Sequence, residues 1–242
     1  DATAVATNPK AVMRPIHRPP REPAGRTPHC AWTVTIDEAN DAPPYPPQAV
    51  VLGASQAARF DAVTAIDRGE DGLGEYSGPL YADVPFTEFS HSALVRMAEE
   101  VCLQGHLLAL SYRLAVSARV GDAAAADMMR KQFTGAAGVV AGRLRAALGL
   151  PASGVDLDGL ARILRIHPAL NPVGYVAAET VVDRDRLVLS IGRRSAACDD
   201  GAWPALLDAD HVEPLRAIVR AVDPRLQLDV LDVSSEQLRV CI

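Results

Sequence analysis

Proline is concentrated at the start of this 242-residue chain, where the first fifty residues contain ten of its eighteen prolines. Three proline pairs are adjacent, at 19–20, 43–44 and 46–47. Because proline lacks an N–H donor and has a fixed φ angle, this segment cannot form a regular helix or a central strand. The sequence therefore predicts an extended N-terminal arm over residues 1–48, ahead of a single globular region over residues 49–242.

The arm has two features typical of a segment that binds a partner. Residues 31–37 (AWTVTID) alternate in the manner of a strand, which could pair with a sheet edge. Trp32 is a candidate anchor for a partner pocket, and Arg14 and Arg18 are further candidate partner-binding residues. An ordered arm of this composition needs a surface to hold it. The sequence leaves open whether that surface is another protein, a second copy of the chain or its own globular region.

Composition and charge exclude several classes of protein. About half of the residues are apolar and the net charge is −6, which indicates a globular protein without a dense basic face, so no nucleic acid partner is expected. No run of about 18 apolar residues is present, so no membrane partner is expected. The four cysteines are widely spaced and form no CxxC pair, and the cations are nearly all arginine. These features predict a bacterial, cytoplasmic protein with reduced thiols.

Two long helices are predicted in the middle of the chain. The first runs over residues 92–120, with Thr87 or Ser90 as its cap, and the second over residues 123–148. Gly121 and Asp122 separate them, and so short a break predicts an antiparallel helical hairpin. Residues on one face of the second helix are expected to pack on the first: Ala124, Met128, Ala136, Val139 and Val140.

The C-terminal part changes to a strand-like period of two. Residues 175–182 with 186–191, and 226–233 with 237–242, are predicted as two β-hairpins on either side of a helix at 208–221. This β-β-α-β-β order predicts a small antiparallel sheet, packed with the helical hairpin in an α+β fold. Residues 49–150 are expected to form a helical lobe, which includes a short buried strand at 49–52, and residues 151–242 a sheet lobe.

Glu99, Cys102 and His106 are the candidate catalytic or metal-binding residues. Their spacings of three and four residues put all three on one face of the first long helix. Carboxylate, thiolate and imidazole groups are all ligands of Zn²⁺ or Fe²⁺, but the sequence has no second matched ligand motif. The alternative is that Cys102 and His106 are ordinary buried residues. Cofactors are not predictable from this pattern.

A second candidate pair is Cys198 with His211, as nucleophile and base. The neighbouring Asp199 and Asp200 disfavour a thiolate, so the simpler interpretation is a loop in which one of these aspartates caps a helix.

Three classes of function remain open from the sequence. The first is a subunit of a cytosolic bacterial multi-subunit assembly that clasps a protein partner or a second copy through residues 1–48. The second is an enzyme with its metal or thiol site on the first long helix. The third is a small-ligand-binding module with a pocket between the helices and the sheet. No reaction type is specified, because the GxSxG, HExxH and Walker A patterns are missing.

Overall fold

The computed structural model describes residues 8–39, 41–42, 44, 47–61, 63–78 and 84–242. It divides the chain into two compact units, Asp1–Gly53 and Ala54–Ile242. Helices and two small antiparallel sheets together confirm the α+β class. No helix among the described residues is long and apolar enough to cross a membrane.

The first unit contains a two-stranded antiparallel sheet. Strand β1 (Ala11–His17) pairs with β2 (Ala31–Ile36), and we call these strands and the segment between them the ribbon. The strand predicted at residues 31–37 is confirmed, but its partner β1 was not predicted. Pro15 is tolerated within β1 because both strands of a two-stranded sheet are edges, and the pairing shifts between Pro15 and His17.

A short helix ends the first unit and corrects one prediction. Helix α1 (Pro47–Gly53) occupies the residues for which a buried strand was expected at 49–52. Val50 and Val51 are more than half exposed, and of the four residues only Ala49 is buried. Proline at the first position of α1 presets a helical φ angle, and four apolar residues alone cannot distinguish a strand from one helical turn.

The helical hairpin is the largest feature of the second unit. The second unit begins with a short helix, α2 (Gln56–Arg59), followed by a single 3-10 turn, Phe86–Glu88. Helix α3 (His91–Val120) comes next, and its N-cap Ser90 accepts a hydrogen bond from the Ala93 amide. Gly121, at φ 85°, connects α3 to helix α4 (Asp122–Ala147). The predicted break between the two helices is confirmed. Glycine suits this junction because it adopts a positive φ angle without strain.

The buried face of α4 differs from the predicted one by a single position. Met128 and Val139 are exposed, whereas a stripe spaced by four residues is buried: Ala125, Met129, Phe133, Ala137 and Ala141. Helix α4 packs most extensively on α8 (Glu213–Val222), not on α3. A Cβ atom on Gly138 would lie 3.5 Å from Ala217 Cβ, so the small residues of α4 allow α8 to approach closely.

The remaining elements form the sheet lobe of the second unit. Helix α5 (Leu157–Ile166), the 3-10 turn Pro168–Leu170 and helix α6 (Val173–Val176) lead into β3 (Ala178–Asp183) and β4 (Arg186–Gly192). Helix α7 (Ala196–Asp199) and the 3-10 turn Trp203–Leu206 precede α8. The last strands are β5 (Asp229–Val233) and β6 (Gln237–Cys241).

The sheet lobe has the predicted antiparallel hairpins, and its strand order is β3-β4-β6-β5. Its buried face includes Leu189 paired with Val240 and Ile191 paired with Leu238. The helix that packs against β3 and β4 is α5, and not the helix between the two hairpins. Helix α8 instead buries its apolar face, including Leu215 and Ile218, on the side of α4.

Candidate functional site

The three residues of the predicted site on helix α3 each have a different structural role. One carboxylate oxygen of Glu99 accepts a hydrogen bond from the backbone N–H of Thr64 at 2.6 Å. Cys102 and His106 are buried, with 8% and 1% of their surfaces exposed. The α3 backbone does bring the three residues to one side of the helix, as their spacing predicts.

The environment of Cys102 disfavours thiol chemistry. Burial, together with the negative charge of Glu99, raises the pKa of the Cys102 thiol to about 11. The thiolate is the nucleophilic and metal-binding form of cysteine. At neutral pH the Cys102 side chain is therefore an uncharged, small apolar group that fills space in the core.

His106 lies within an aromatic cluster. Its ring is 5.0 Å from that of Tyr175 and 6.3 Å from that of Trp203, which stacks on Phe133 at 4.8 Å. Nε2 of His106 donates a hydrogen bond to the carbonyl oxygen of Asn171 at 2.9 Å. Burial lowers the pKa of His106 although this hydrogen bond opposes the shift, so the imidazole is neutral and fixes the segment after α5 against α3.

These arrangements do not favour a metal centre at the three residues. Their donor groups are a protonated thiol, a carboxylate engaged with a backbone amide, and an imidazole whose Nε2 binds a backbone carbonyl while its buried Nδ1 has no hydrogen-bond partner among the described residues. No group of three or more His, Cys, Asp or Glu side chains in the described ranges is arranged to hold a metal ion. The geometry therefore supports the structural interpretation of Cys102 and His106 better than the catalytic one.

Asp200 is a junction that the sequence did not reveal. Its carboxylate accepts hydrogen bonds from the backbone amides of Gln56 and Ala57, at 2.7 and 2.8 Å, and from the Tyr175 hydroxyl at 2.8 Å. Asp200 thus satisfies the first amides of α2 from a distant part of the same unit, 143 residues away from Ala57 in the chain. Because both oxygens of the carboxylate already accept hydrogen bonds from these three donors, the role of Asp200 is structural.

The proposed Cys198–His211 pair is not formed by hydrogen bonding in the described part of the chain. Cys198 Sγ donates to the carbonyl oxygen of Gly192 at 3.6 Å. Nδ1 of His211 instead bonds to the carboxylate of Asp208 at 2.8 Å. The N-cap of α7 is Ser195, not either of the aspartates that follow Cys198.

The candidate partner residues of the arm lie on the ribbon. Residues paired across an antiparallel sheet point to the same face. Trp32, Val34 and Ile36 are opposite Pro15, Met13 and Ala11, respectively, so one face of the ribbon consists entirely of apolar side chains. We call these six residues the apolar face.

The three β2 side chains of this face are about half exposed, whereas Ala11 at its end is buried. Trp32, Val34 and Ile36 are 47%, 54% and 49% exposed. Arg14 is opposite Thr33 and therefore lies on the other face of the ribbon, away from Trp32. Arg18 follows the end of β1 and is exposed. Trp32 and Arg14, both candidate partner-binding residues, therefore lie on opposite faces of the ribbon.

Comparisons of the chain with protein-family models, with curated proteins and with solved structures give no match. Of the three candidate partner-binding residues, Trp32 lies on the apolar face.

Proposed function

We propose that this protein is a subunit of an assembly, that its ribbon grips the neighbouring subunit, and that this neighbour is a second copy of the chain. The single observation that carries the proposal is the half-exposed apolar face. The expected bacterial cytoplasm is part of the same proposal and rests on the composition of the chain.

The need for a partner follows from the size of the ribbon. A two-stranded hairpin is marginally stable by itself in water, and it becomes stable when its apolar face packs against another layer. Val34, in the middle of β2, is 54% exposed and opposite Met13. A second apolar face at the usual spacing of about 10 Å between stacked sheets would cover both residues.

The distribution of charge favours a second copy over an unrelated protein. The tip of the ribbon, between the two strands, carries Arg18, Arg21 and Arg26 against one glutamate, Glu22. Beyond the other end of β2 lie the acidic residues Asp37, Glu38 and Asp41, and Lys10 forms an ion pair with Glu38 at 3.5 Å. In an antiparallel, two-fold-related pair, the basic tip of each ribbon would face the acidic end of the other.

An interface limited to this face has a predictable strength. Six residues on each side are far fewer than the roughly 20–30 of a standard protein interface. We therefore expect association with a Kd on the order of micromolar or weaker, with an electrostatic contribution that salt reduces.

Site-directed cross-linking tests the proposed geometry. In a Cys30→Ser background, which removes the exposed thiol of the ribbon, Val34→Cys places a thiol at the centre of the apolar face. The two copies of this residue would lie near the two-fold axis, so mild oxidation is expected to give a covalent dimer. Thr33→Cys in the same background is the matched control, because residue 33 lies on the opposite face and should remain monomeric.

The outcomes separate the possible partners. A dimer with Val34→Cys but not with Thr33→Cys supports a second copy. Equal cross-linking of both variants contradicts it, as does cross-linking of neither at about 1 mM protein, where even an association with a Kd of about 100 μM is largely formed. Native mass spectrometry of a chain lacking residues 1–47 gives an independent test. If the truncated chain assembles with the same number of copies as the full chain, the ribbon does not hold the subunits together.

A further inference from the structure

A cavity of about 480 Å³ lies in the second unit, between the C-terminal half of α8 and the segment that leads into β5. Arg216 and Arg220 form one wall, and Gln227 and Asp229 form another. The buried residues Val219 and Leu228 also line the cavity. The cavity is not between the helical hairpin and the sheet, where a ligand pocket was expected from the sequence.

Arg216 and Arg220 carry like charges, and an anion close to both would reduce their repulsion. Their spacing of four residues places both on one face of α8, and like charges in this arrangement destabilise a helix. Arg216 has a carboxylate partner in Glu213, at 3.4 Å. In the part of the chain that the structure describes, the Arg220 guanidinium has no hydrogen-bond or ion-pair partner.

The helix dipole explains only part of this arrangement. A cation in the last turn of α8 is stabilised by the carbonyl end of the helix, which accounts for the presence of Arg220. It does not account for Arg216 one turn earlier, nor for the concave surface that both side chains line. Two guanidinium groups on successive turns beside a cavity are a common way to hold a carboxylate or a phosphate.

The opposite wall adds a second requirement. Asp229 is exposed at the start of β5 and lines the same cavity, so its negative charge would disfavour a simple anion there. A ligand that avoids this repulsion carries a hydrogen-bond donor on its far side. Gln227 can donate to the same ligand or accept from it.

We propose that this cavity binds a small organic anion whose carboxylate or phosphate lies between Arg216 and Arg220, and whose hydroxyl or ammonium group donates to Asp229. The volume lies within the range of about 300–1,000 Å³ that is usual for small-molecule sites. Val219 and Leu228 would contact the carbon skeleton. The site belongs to the second unit and does not depend on the ribbon or on dimer formation.

Isothermal titration of the full chain with three probes tests the proposal. L-Glutamate supplies a carboxylate with an ammonium group, ribose 5-phosphate supplies a phosphate with hydroxyl groups, and inorganic phosphate supplies an anion alone. We expect saturable binding of at least one organic probe at concentrations up to about 10 mM, which would saturate a site with a Kd of about 1 mM. The organic probe that binds identifies the anion and donor types.

Two variants and a matched control locate the site. Arg216→Gln with Arg220→Gln should weaken binding by at least about tenfold, because two charge-assisted contacts are lost. Arg143→Gln, an exposed arginine of α4, should leave the affinity unchanged. Asp229→Asn should weaken binding of the organic probe and leave that of inorganic phosphate equal or tighter. Circular dichroism of each variant checks that the exposed substitutions preserve the fold.

Three results would overturn the proposal. One is the lack of saturable binding by both organic probes, and another is unchanged affinity in the double arginine variant. The third is inorganic phosphate that binds as tightly as the organic probes, with no effect of Asp229→Asn on any of them, because this would indicate a nonspecific anion site.

Discussion

The hydroxyl of Tyr175 donates a hydrogen bond to a carboxylate oxygen of Asp200 at 2.8 Å, and Tyr175 is completely buried. The same carboxylate receives the amides of Gln56 and Ala57, so one side chain connects the residues around α2, α6 and α7. Burial and the adjacent negative charge raise the pKa of Tyr175, which keeps its proton available for this hydrogen bond.

The Tyr175–Asp200 contact gives the first stability prediction. Tyr175→Phe should lower the free energy of unfolding by about 0.5–1.5 kcal/mol, because one hydrogen bond is lost while the ring is retained. Asp200→Ala removes the acceptor for three donors and should cost more, about 1–3 kcal/mol. Urea denaturation of both single variants and the double variant measures the coupling, which should be clearly non-additive. Additive effects would indicate that the two residues do not interact.

Asp223 is expected to make the second unit sensitive to acid. Its carboxylate is buried, accepts hydrogen bonds from the side chain and backbone of Arg225, and also bonds to the amides of Gly154 and Val155. These contacts, with those of Arg225 foremost, hold the pKa of Asp223 well below its ordinary value. The stability that they provide is present above the unfolded pKa of about 4 and is lost as the pH falls further.

Urea denaturation between about pH 5 and pH 2 measures this acid sensitivity. Asp223→Asn should be less stable than the parent at pH 6 and should show a smaller loss of stability on acidification. Asp210→Asn, at an exposed carboxylate, is the matched control and should keep the parent slope. An unchanged slope in Asp223→Asn would show that other carboxyl groups cause the acid sensitivity.

His106 and His167 are expected to make the free energy of unfolding depend on pH nearer to neutrality. His167 donates through Nε2 to Ala137 and accepts through Nδ1 from the Ala169 amide, so it requires the neutral form. Burial lowers the pKa of both histidines. Their protonation in the unfolded chain below about pH 6.5 therefore reduces the free energy of unfolding as the pH falls from 7 to 5.

Substitution by glutamine isolates these contributions. His106→Gln preserves a donor for the Asn171 carbonyl, and His167→Gln does the same for Ala137. Each should flatten the pH dependence of the free energy of unfolding between pH 7 and 5, whereas His91→Gln, at an exposed position, should not. NMR titration of the imidazole protons gives a direct check, and a folded-state pKa of 6.5 or above for either buried histidine would contradict the prediction.

Gly138 tests the close approach of α4 and α8. Gly138→Leu should destabilise the second unit by about 1–3 kcal/mol, because the side chain would meet Ala217. Gly135→Leu is the matched control on the same helix, since a Cβ at residue 135 would have no atom within 4 Å of it among the described residues. That control should be neutral or stabilising, because glycine is a poor helix former. Equal thermal unfolding temperatures for both variants would argue against tight packing at Gly138.

Local signals accounted for the parts of the fold that were predicted well. Ser90 as a cap, Gly121 as a break and the alternating run at residues 187–191 each specify a conformation through neighbouring residues alone. The predicted buried face of α4 was wrong by one position because local signals did not distinguish its faces. Alanine and glycine occur on all sides of that helix, so its periodicity does not select a face.

The candidate site was harder to predict because its chemistry depends on distant residues. Glu99, Cys102 and His106 share a helical face as their spacing requires, but the partners of Glu99 and His106 are Thr64 and Asn171. Neither Thr64 nor Asn171 belongs to a recognisable sequence motif. The same is true of the cavity, whose two arginine residues in α8 were not distinguishable in the sequence from ordinary cations at a helix end.

The sequence by itself determined the α+β class, the helical hairpin and the extended, strand-forming character of the first unit, because proline content, capping and periodicity act over a few residues. Only the tertiary structure decided that β2 pairs with β1, that Trp32 and Arg14 lie on opposite faces, and that Asp200 binds the start of α2. These relations depend on register and on contacts between residues far apart in the chain. Burial and hydrogen bonding at those contacts, not residue type, decide which side chains are structural and which are free to bind.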